Sequence, residues 1–332
     1  MGLENHRKLD MRTNRHTEFA DTPENLEHLE IGIPPVEVQK STLLLDKRVV
    51  TVSFLVLISF LGFWFSQAQP QIRHDFSVLV DQFVSSPFFW QAVVVGLIAQ
   101  VIDGALGMAY GISSNTFLIG IGASPAAASG AVHVAEIFTT AFSGVSHIKF
   151  GNVDKELFKK IVIPGVIGGV VGVVFLTSID GKLIKPYITA YLLIMGIVIL
   201  RKAFVHRQEK QSHELQHVRK LAVGGGFLDA VGGGGWGPVV TSSLIGQGNN
   251  PRKTIGTVNT AEFFVALATG TSFLLLGGID HWIFVAGLIV GGLFAAPFAA
   301  FLTSKLSTRY LLVAVGLLIS SLSGFNLYKA LF

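Results

Sequence analysis

Four carboxylates sit where a water-facing protein would not keep them: Asp103, Glu136, Asp229 and Glu262 each lie inside long apolar stretches. An ionised group in such a place costs about 3 kcal/mol or more unless it is paired or neutralised, so function is the default expectation. Two chemistries fit. All four are candidates for proton coupling, because a carboxyl among apolar neighbours can take up and release a proton. Alternatively, each caps free backbone N–H groups at the end of a neighbouring helix. Both readings stay open for the Glu pair, while capping is favoured for the Asp pair. His133 precedes Glu136 by three residues and shares its helix face, and Asn259 stands in the same relation to Glu262. His133 can readily be cationic, so His133 and Asn259 are candidates to touch a solute; the alternative for His133 is a hydrogen-bonded packing role. No second His or thiolate stands at ligand spacing, so neither a metal nor another cofactor is expected.

Two glycine-rich breaks interrupt the apolar sequence, DGALGMAYG at 103–111 and DAVGGGGWGP at 229–238. Glycine permits sharp turns and lets a ligand approach the backbone. A helix that resumes after such a break presents free N–H groups and a positive dipole end, which together favour an anion. Pro238 is expected at the first position of the second resumed helix, with Ser113, Ser114 and Asn115 at the matching start in the first. The candidate solute-binding set is therefore Gly107, Gly111, Ser113, Ser114 and Asn115 on one break and Gly233, Gly235, Trp236, Gly237 and Thr241 on the other, with His133 and Asn259. Tight packing without a ligand is the competing reading. GGGGWG lacks the Lys and Ser/Thr of a phosphate-binding loop.

The elements that must position these residues follow from composition. Of 332 residues 50% are apolar, 14% are charged and the mean hydropathy is +0.58, too little polar surface for a water-soluble fold of this size. The net charge of +4 is scattered over short loops and carries no nucleic-acid motif, so the partners expected are a lipid bilayer and a small solute. With no cysteine, disulfides and thiolate sites are excluded. No nucleophile–base pair or metal set appears, so an enzyme is not expected.

Stretches long enough to cross a hydrocarbon core of about 30 Å run 126–148, 157–178 and 183–200, then 254–276, 282–303 and 310–327. A lone first helix is expected within 49–66, after a polar cytoplasmic tail at 1–48. Each group of three is preceded by a broken element, 88–121 and 221–247. The segment 112–121 is only ten residues, about 15 Å of helix, and cannot span. Each broken element is therefore a re-entrant hairpin or one interrupted helix. The positive-inside rule decides between them. If each doubles back, 21 Lys and Arg fall inside and 4 outside; if each crosses once, the split is 13 to 12. Doubling back is favoured, with the N-terminus cytoplasmic and the C-terminus outside.

A shift of 126 positions aligns 103–178 with the second half without a gap, and 16 of 49 positions match between 103–151 and 229–277. Shared apolar bias would match Leu, Val and Ile; these matches include Asp103/Asp229, Pro125/Pro251 and Glu136/Glu262. The expected fold is all-α and polytopic. It holds two inverted repeats, 88–202 and 219–332, each a broken re-entrant element plus three transmembrane helices, joined by a cytoplasmic linker at 203–218. In secondary transporters so built, the solute site lies between the repeats near the midplane.

The paired segments VIDGALGMAYGISSNTFLIGIGASP (101–125) and FLDAVGGGGWGPVVTSSLIGQGNNP (227–251), with Glu136 and Glu262 beyond them, resemble the sulfite exporter TauE/SafE family. The resemblance covers roughly residues 90–330. It implies a bacterial inner-membrane permease for sulfite, sulfonates such as sulfoacetate, or other small organic anions. The first segment departs from the pattern, with Leu106, Met108 and Ala109 where the second has Gly232, Gly234 and Gly235.

The native chain has no cysteine, so topology is directly testable. Single cysteines at Ser212 and Ser307 are expected to react with an impermeant maleimide only from the cytoplasm, and one at Gly278 only from outside. Labelling of Ser212 from outside would overturn the inverted arrangement.

Overall fold

The structure, a computed structural model, describes residues 70–106, 108–149, 151–204, 217–276, 282–303 and 308–331. The expected tail and lone first helix lie outside these, as does most of the linker. Residues 1–77 and 78–332 form separate units, and everything below concerns the second except the first turns of α1.

Among the described residues all regular structure is helical. α1 (Pro70–Ser85) is followed by α2 (Pro87–Leu106), α3 (Tyr110–Gly120), α4 (Pro125–Lys149), α5 (Lys155–Thr177) and α6 (Gly181–Lys202). The second module opens with α7 (Val218–Gly232). A π-helical turn (Trp236–Thr241) then runs into α8 (Ser242–Gly246), followed by α9 (Pro251–Leu275), α10 (Trp282–Thr303) and α11 (Thr308–Leu331). Four segments, Lys155–Thr177, Gly181–Lys202, Lys253–Leu275 and Leu312–Leu331, are long and apolar enough to cross a membrane, and α1 with α2 can supply a fifth span.

Local chemistry sets the helix limits. Proline opens α1, α2, α4 and α9, where its missing N–H costs nothing. Asp154 caps α5 by accepting from the Glu156 and Leu157 N–H groups, Asp180 caps α6 through Lys182, and Asn250 caps α9 through Lys253.

Two features differ from the sequence expectation. Residues 70–85, to which the sequence reading assigns no element, form a helix. Its apolar residues Phe76, Leu79, Val80 and Phe83 recur at helical spacing, but the polar residues between them mask it in a reading based on apolar runs. The resumed helices also start earlier than expected. α3 begins at Tyr110, which puts Ser113–Asn115 past its first turn, and Pro238 is the third residue of the π turn rather than the first of a helix. Only the first-turn N–H groups of a helix lack intrahelical partners, so these three polar side chains do not sit at the free donors.

Packing is reciprocal between the modules. α2 packs on α10 of the other module, and its counterpart α7 packs on α5; α4 packs on α9, and α6 on α11. Small residues allow the close approaches, as helix contacts in lipid require. A Cβ on Gly96 of α2 would lie 2.6 Å from the Leu288 carbonyl oxygen of α10, and one on Gly287 2.6 Å from the Phe89 oxygen. A large apolar cluster joins α2, α3, α4, α6 and α11, and a second one gathers Trp236 and Val240 with α5 and α9.

This packing generates a stability prediction. Gly96→Val and Gly287→Val are expected to lower the thermal stability of the detergent-solubilised protein, at a cost of about 1–3 kcal/mol each from overpacking. Gly224, where an added Cβ would meet nothing within 4 Å, is the control: Gly224→Ala is expected to melt at or above the wild-type temperature.

Candidate functional site

The two breaks meet inside the protein. A Cβ added to Gly111 would lie 2.6 Å from the Gly233 carbonyl oxygen, 2.8 Å from the Gly234 Cα and 2.9 Å from Oε1 of Glu136. Backbone touches backbone, with a carboxyl at the seam. Gly233 and Gly234 hold φ of 63° and 155°, a geometry that glycine adopts without a Cβ penalty. Ala109 takes the left-handed turn of the first break at φ 93°.

Helices that stop inside apolar surroundings leave polar backbone groups that must find partners. Asp229 serves the second break: its Oδ1 accepts from the Gly235 N–H at 2.7 Å and the Trp236 N–H at 3.0 Å. In the first break Asp103 stands within electrostatic reach of the Tyr110 N–H, the equivalent pair under the 126-residue shift. The carbonyls at the end of α7 and just beyond it are met from the first module. Asn115 donates to Gly232, Ser129 to Ala230 at 2.6 Å, and Tyr191 to Gly234 at 3.0 Å.

His133 completes this joint rather than standing free. Its Nδ1 lies 2.8 Å from the Ser129 carbonyl, which can only accept, so Nδ1 carries a hydrogen. Nε2 then faces Oδ2 of Asp229 at 3.2 Å. A bare lone pair there would confront a carboxylate oxygen, so a proton lies between them, on one atom or the other. Either way the buried pair is neutral overall, which is what permits two ionisable groups there.

The four carboxylates converge. Glu136 lies within electrostatic reach of Asp229, Glu262 and Asp103, and Glu262 of Asp103 and Asp229. Glu136 and Asp229 are buried, and Asp103 and Glu262 are half-buried. Glu136 Oε2, Ser113 Oγ, Ser114 Oγ, Asn115 Oδ1 and Thr241 Oγ1 are buried without a hydrogen-bond partner. Ligand atoms of His133, Glu136 and Asp229 lie within 4.8 Å of one another, a donor set that could hold a cation.

The remaining candidates fall as follows. Gly111, Gly233 and Gly235 form the joint, and Thr241 follows it on the π turn. Gly237 is buried on the same turn, and Gly107 lies outside the described residues. Trp236 is fully buried and its indole N–H donates to the Val258 carbonyl at 3.1 Å, so its ring packs between α5 and α9. Asn259 donates to Ser143 at 2.9 Å across the α4–α9 contact, away from the seam. Three further residues join the site without being singled out by the sequence: Ser129, Tyr191 and Lys202. Ser129 carries a readable signal, since it stands four residues before His133 on one face; Tyr191 and Lys202 carry none. An apolar cavity of about 450 Å³ lined by Phe175, Tyr187, Tyr191 and Leu228 lies beside the joint, and its walls are too apolar to hold a polar solute.

Apolar helices of spanning length, around interrupted elements with buried carboxylates at their junction, define a multi-pass α-helical membrane protein of the transporter class. Residues 92–327 match the model of the sulfite exporter TauE/SafE family, and the chain belongs to that family. It is 47% identical over 230 residues to the probable membrane transporter protein YtnM of Bacillus subtilis (strain 168), across 67% of this chain and 77% of that protein. No solved structure matches the chain.

The capping geometry gives a test. Asp229→Ala orphans two buried N–H groups, each worth about 1–3 kcal/mol when left unsatisfied, whereas Asn at the same place can still accept both. Thermal unfolding in detergent should rank wild type above Asp229→Asn and Asp229→Asn well above Asp229→Ala. Equal losses in the two variants would mean that these hydrogen bonds do not hold the break.

Proposed function

We propose that the protein is a secondary transporter of small anions, with sulfite, sulfoacetate and related organosulfur or organic anions as the cargo class. The observation that carries this reading is the seam itself: two interrupted elements abut at Gly111 and Gly233–Gly234 with the Glu136 carboxyl against them. A chain reversal inside a membrane persists only where protein or a wet cavity surrounds it, and such reversals mark the solute site in transporters built from repeats. Membership of the TauE/SafE family and the likeness to YtnM support the transporter class.

In this reading the modules are inverted, the broken elements re-enter from opposite faces, and the protein sits in a bacterial inner membrane with its N-terminus inside. The reciprocal packing of α2 on α10 and α7 on α5 supports a two-fold relation. The cargo passes where the unpartnered Ser113, Ser114 and Thr241 hydroxyls offer donors. Glu136 and Glu262, with the proton shared by His133 and Asp229, are the coupling groups, so an ion gradient rather than ATP drives transport. Their convergence on one joint supports coupling, since His133, Glu136 and Asp229 bring ligand atoms within 4.8 Å of one another.

A second reading is favoured by one observation. The donor set of His133, Glu136 and Asp229 suits a cation as well as a proton, which would make the carboxylates a cation path and the protein cation-coupled or a passive channel.

Proteoliposome uptake of labelled sulfite and sulfoacetate separates the readings. We expect saturable uptake stimulated by a pH gradient, with the stimulation abolished in Glu262→Gln and Glu136→Gln. Linear, non-saturating flux, or dependence on an added metal cation in place of the pH gradient, would shift the assignment to the second reading.

A further inference from the structure

We infer that Lys202 supplies the positive charge that binds the anion, from a position where it touches both breaks. The inference rests on the reading above that the cargo is an anion. It starts from a difficulty in that reading. The donors that the second break offers an anion are already taken by an internal carboxylate, since Asp229 accepts from Gly235 and Trp236, and in the first break Asp103 lies within electrostatic reach of the Tyr110 N–H. His133 faces Asp229 and adds no net positive charge to the seam. An incoming anion therefore meets four carboxyl groups and needs a cation from elsewhere.

Lys202 is placed to be that cation. It ends α6, where a basic residue ordinarily faces water and complements the helix dipole. Arg201 beside it does so and is exposed, but Lys202 is half-buried and turned inward. Its ammonium donates to the Ser242 hydroxyl, directly after the π turn of the second break. It also lies 3.7 Å from the Met108 sulfur, in the first break. One ammonium thus contacts both interrupted elements. A thioether is a weak acceptor, so the ammonium gains by exchanging it for an oxyanion. The unpartnered hydroxyls of Thr241, next to Ser242, and of Ser113, in the helix that follows Met108, are buried on the same two elements and supply further donors. A compact, strongly hydrated point charge suits a small oxyanion or sulfonate that keeps part of its own water.

The competing role is a tether that ties α6 to α8. Two variants separate the roles: Lys202→Gln removes the charge, and Ser242→Ala removes the tether while keeping the charge. Binding is read first, as thermal stabilisation of the purified full-length protein by sulfite, sulfoacetate and sulfate. Uptake kinetics are read second. If Lys202 is the anion cation, Lys202→Gln raises the half-saturating anion concentration and KM about ten- to a hundredfold, the usual effect of losing a charged partner. Lys202→Arg restores most of the affinity, and Ser242→Ala behaves nearly as wild type. Unchanged affinity in Lys202→Gln overturns the inference, as do equal effects of Lys202→Gln and Ser242→Ala. Absence of stabilisation of the wild type by any of the three anions overturns it too. Lys202-dependent stabilisation without uptake would uphold the anion site and sink the transport reading, so the two failures are distinguishable.

Discussion

A backbone that stops being helical inside hydrocarbon must find a partner for every N–H and C=O it frees, and it cannot borrow water to do so. Among the described residues two such stops lie in the apolar interior, between α2 at Leu106 and α3 at Tyr110 and again between Gly232 and Trp236. Much of the protein's buried polar chemistry answers that requirement. Asp229 takes two N–H groups, while Asn115, Ser129 and Tyr191 take three carbonyls at the end of α7 and just beyond it. The side chains that look functional by type are therefore structural by contact. The two roles are not rivals. A group that holds a break through a proton-dependent contact makes the shape of the break depend on that proton.

The His133–Asp229 pair shows the coupling in detail. Oδ1 of Asp229 is fixed by the backbone of the second break, and Oδ2 by the imidazole. The imidazole is fixed in turn by the Ser129 carbonyl, and the hydroxyl of the same serine holds Ala230. Removing the shared proton would set a lone pair against a carboxylate oxygen at 3.2 Å. The strain would fall on the one place where α7 is already interrupted. Glu136, against Gly111 and within reach of Asp229, feels the same change from the opposite module. Asp229, His133, Ser129 and Glu136 thus tie the second break to the first module through a few residues in contact.

Much of the architecture is legible in the sequence because it rests on local or periodic signals. Six apolar stretches predict α4, α5, α6, α9, α10 and α11 to within about four residues at each end, as caps and prolines mark their starts. The breaks are legible as clusters of Asp and Gly, and family membership as their repetition. What escapes depends on contacts far apart in sequence. Nothing local says that His133 faces Asp229, 96 residues away, or that the Trp236 ring fills the space beside Gly165. Lys202 is hidden for a related reason. The positive-inside rule counts where a cation stands along the chain, and a flexible four-carbon stem can point the charge elsewhere. Helix α1 escapes because hydropathy measures apolar mass, which an amphipathic helix lacks.

The duplication also explains why the site is chemically uneven. Within the gapless alignment, Ser129 corresponds to Ile255, His133 to Asn259, and Asn115 to Thr241. The first module thus donates a set of polar side chains to the second break, and none of the three counterparts returns the same service: the Thr241 hydroxyl has no hydrogen-bond partner. Ile255 has no polar side-chain atom, and Asn259 is turned to Ser143. The second break is correspondingly richer in glycine and carries the positive φ at Gly233 and Gly234, whereas Ala109 holds the first at φ 93° with a Cβ in place. A glycine-rich break with external supports can change shape when a support changes.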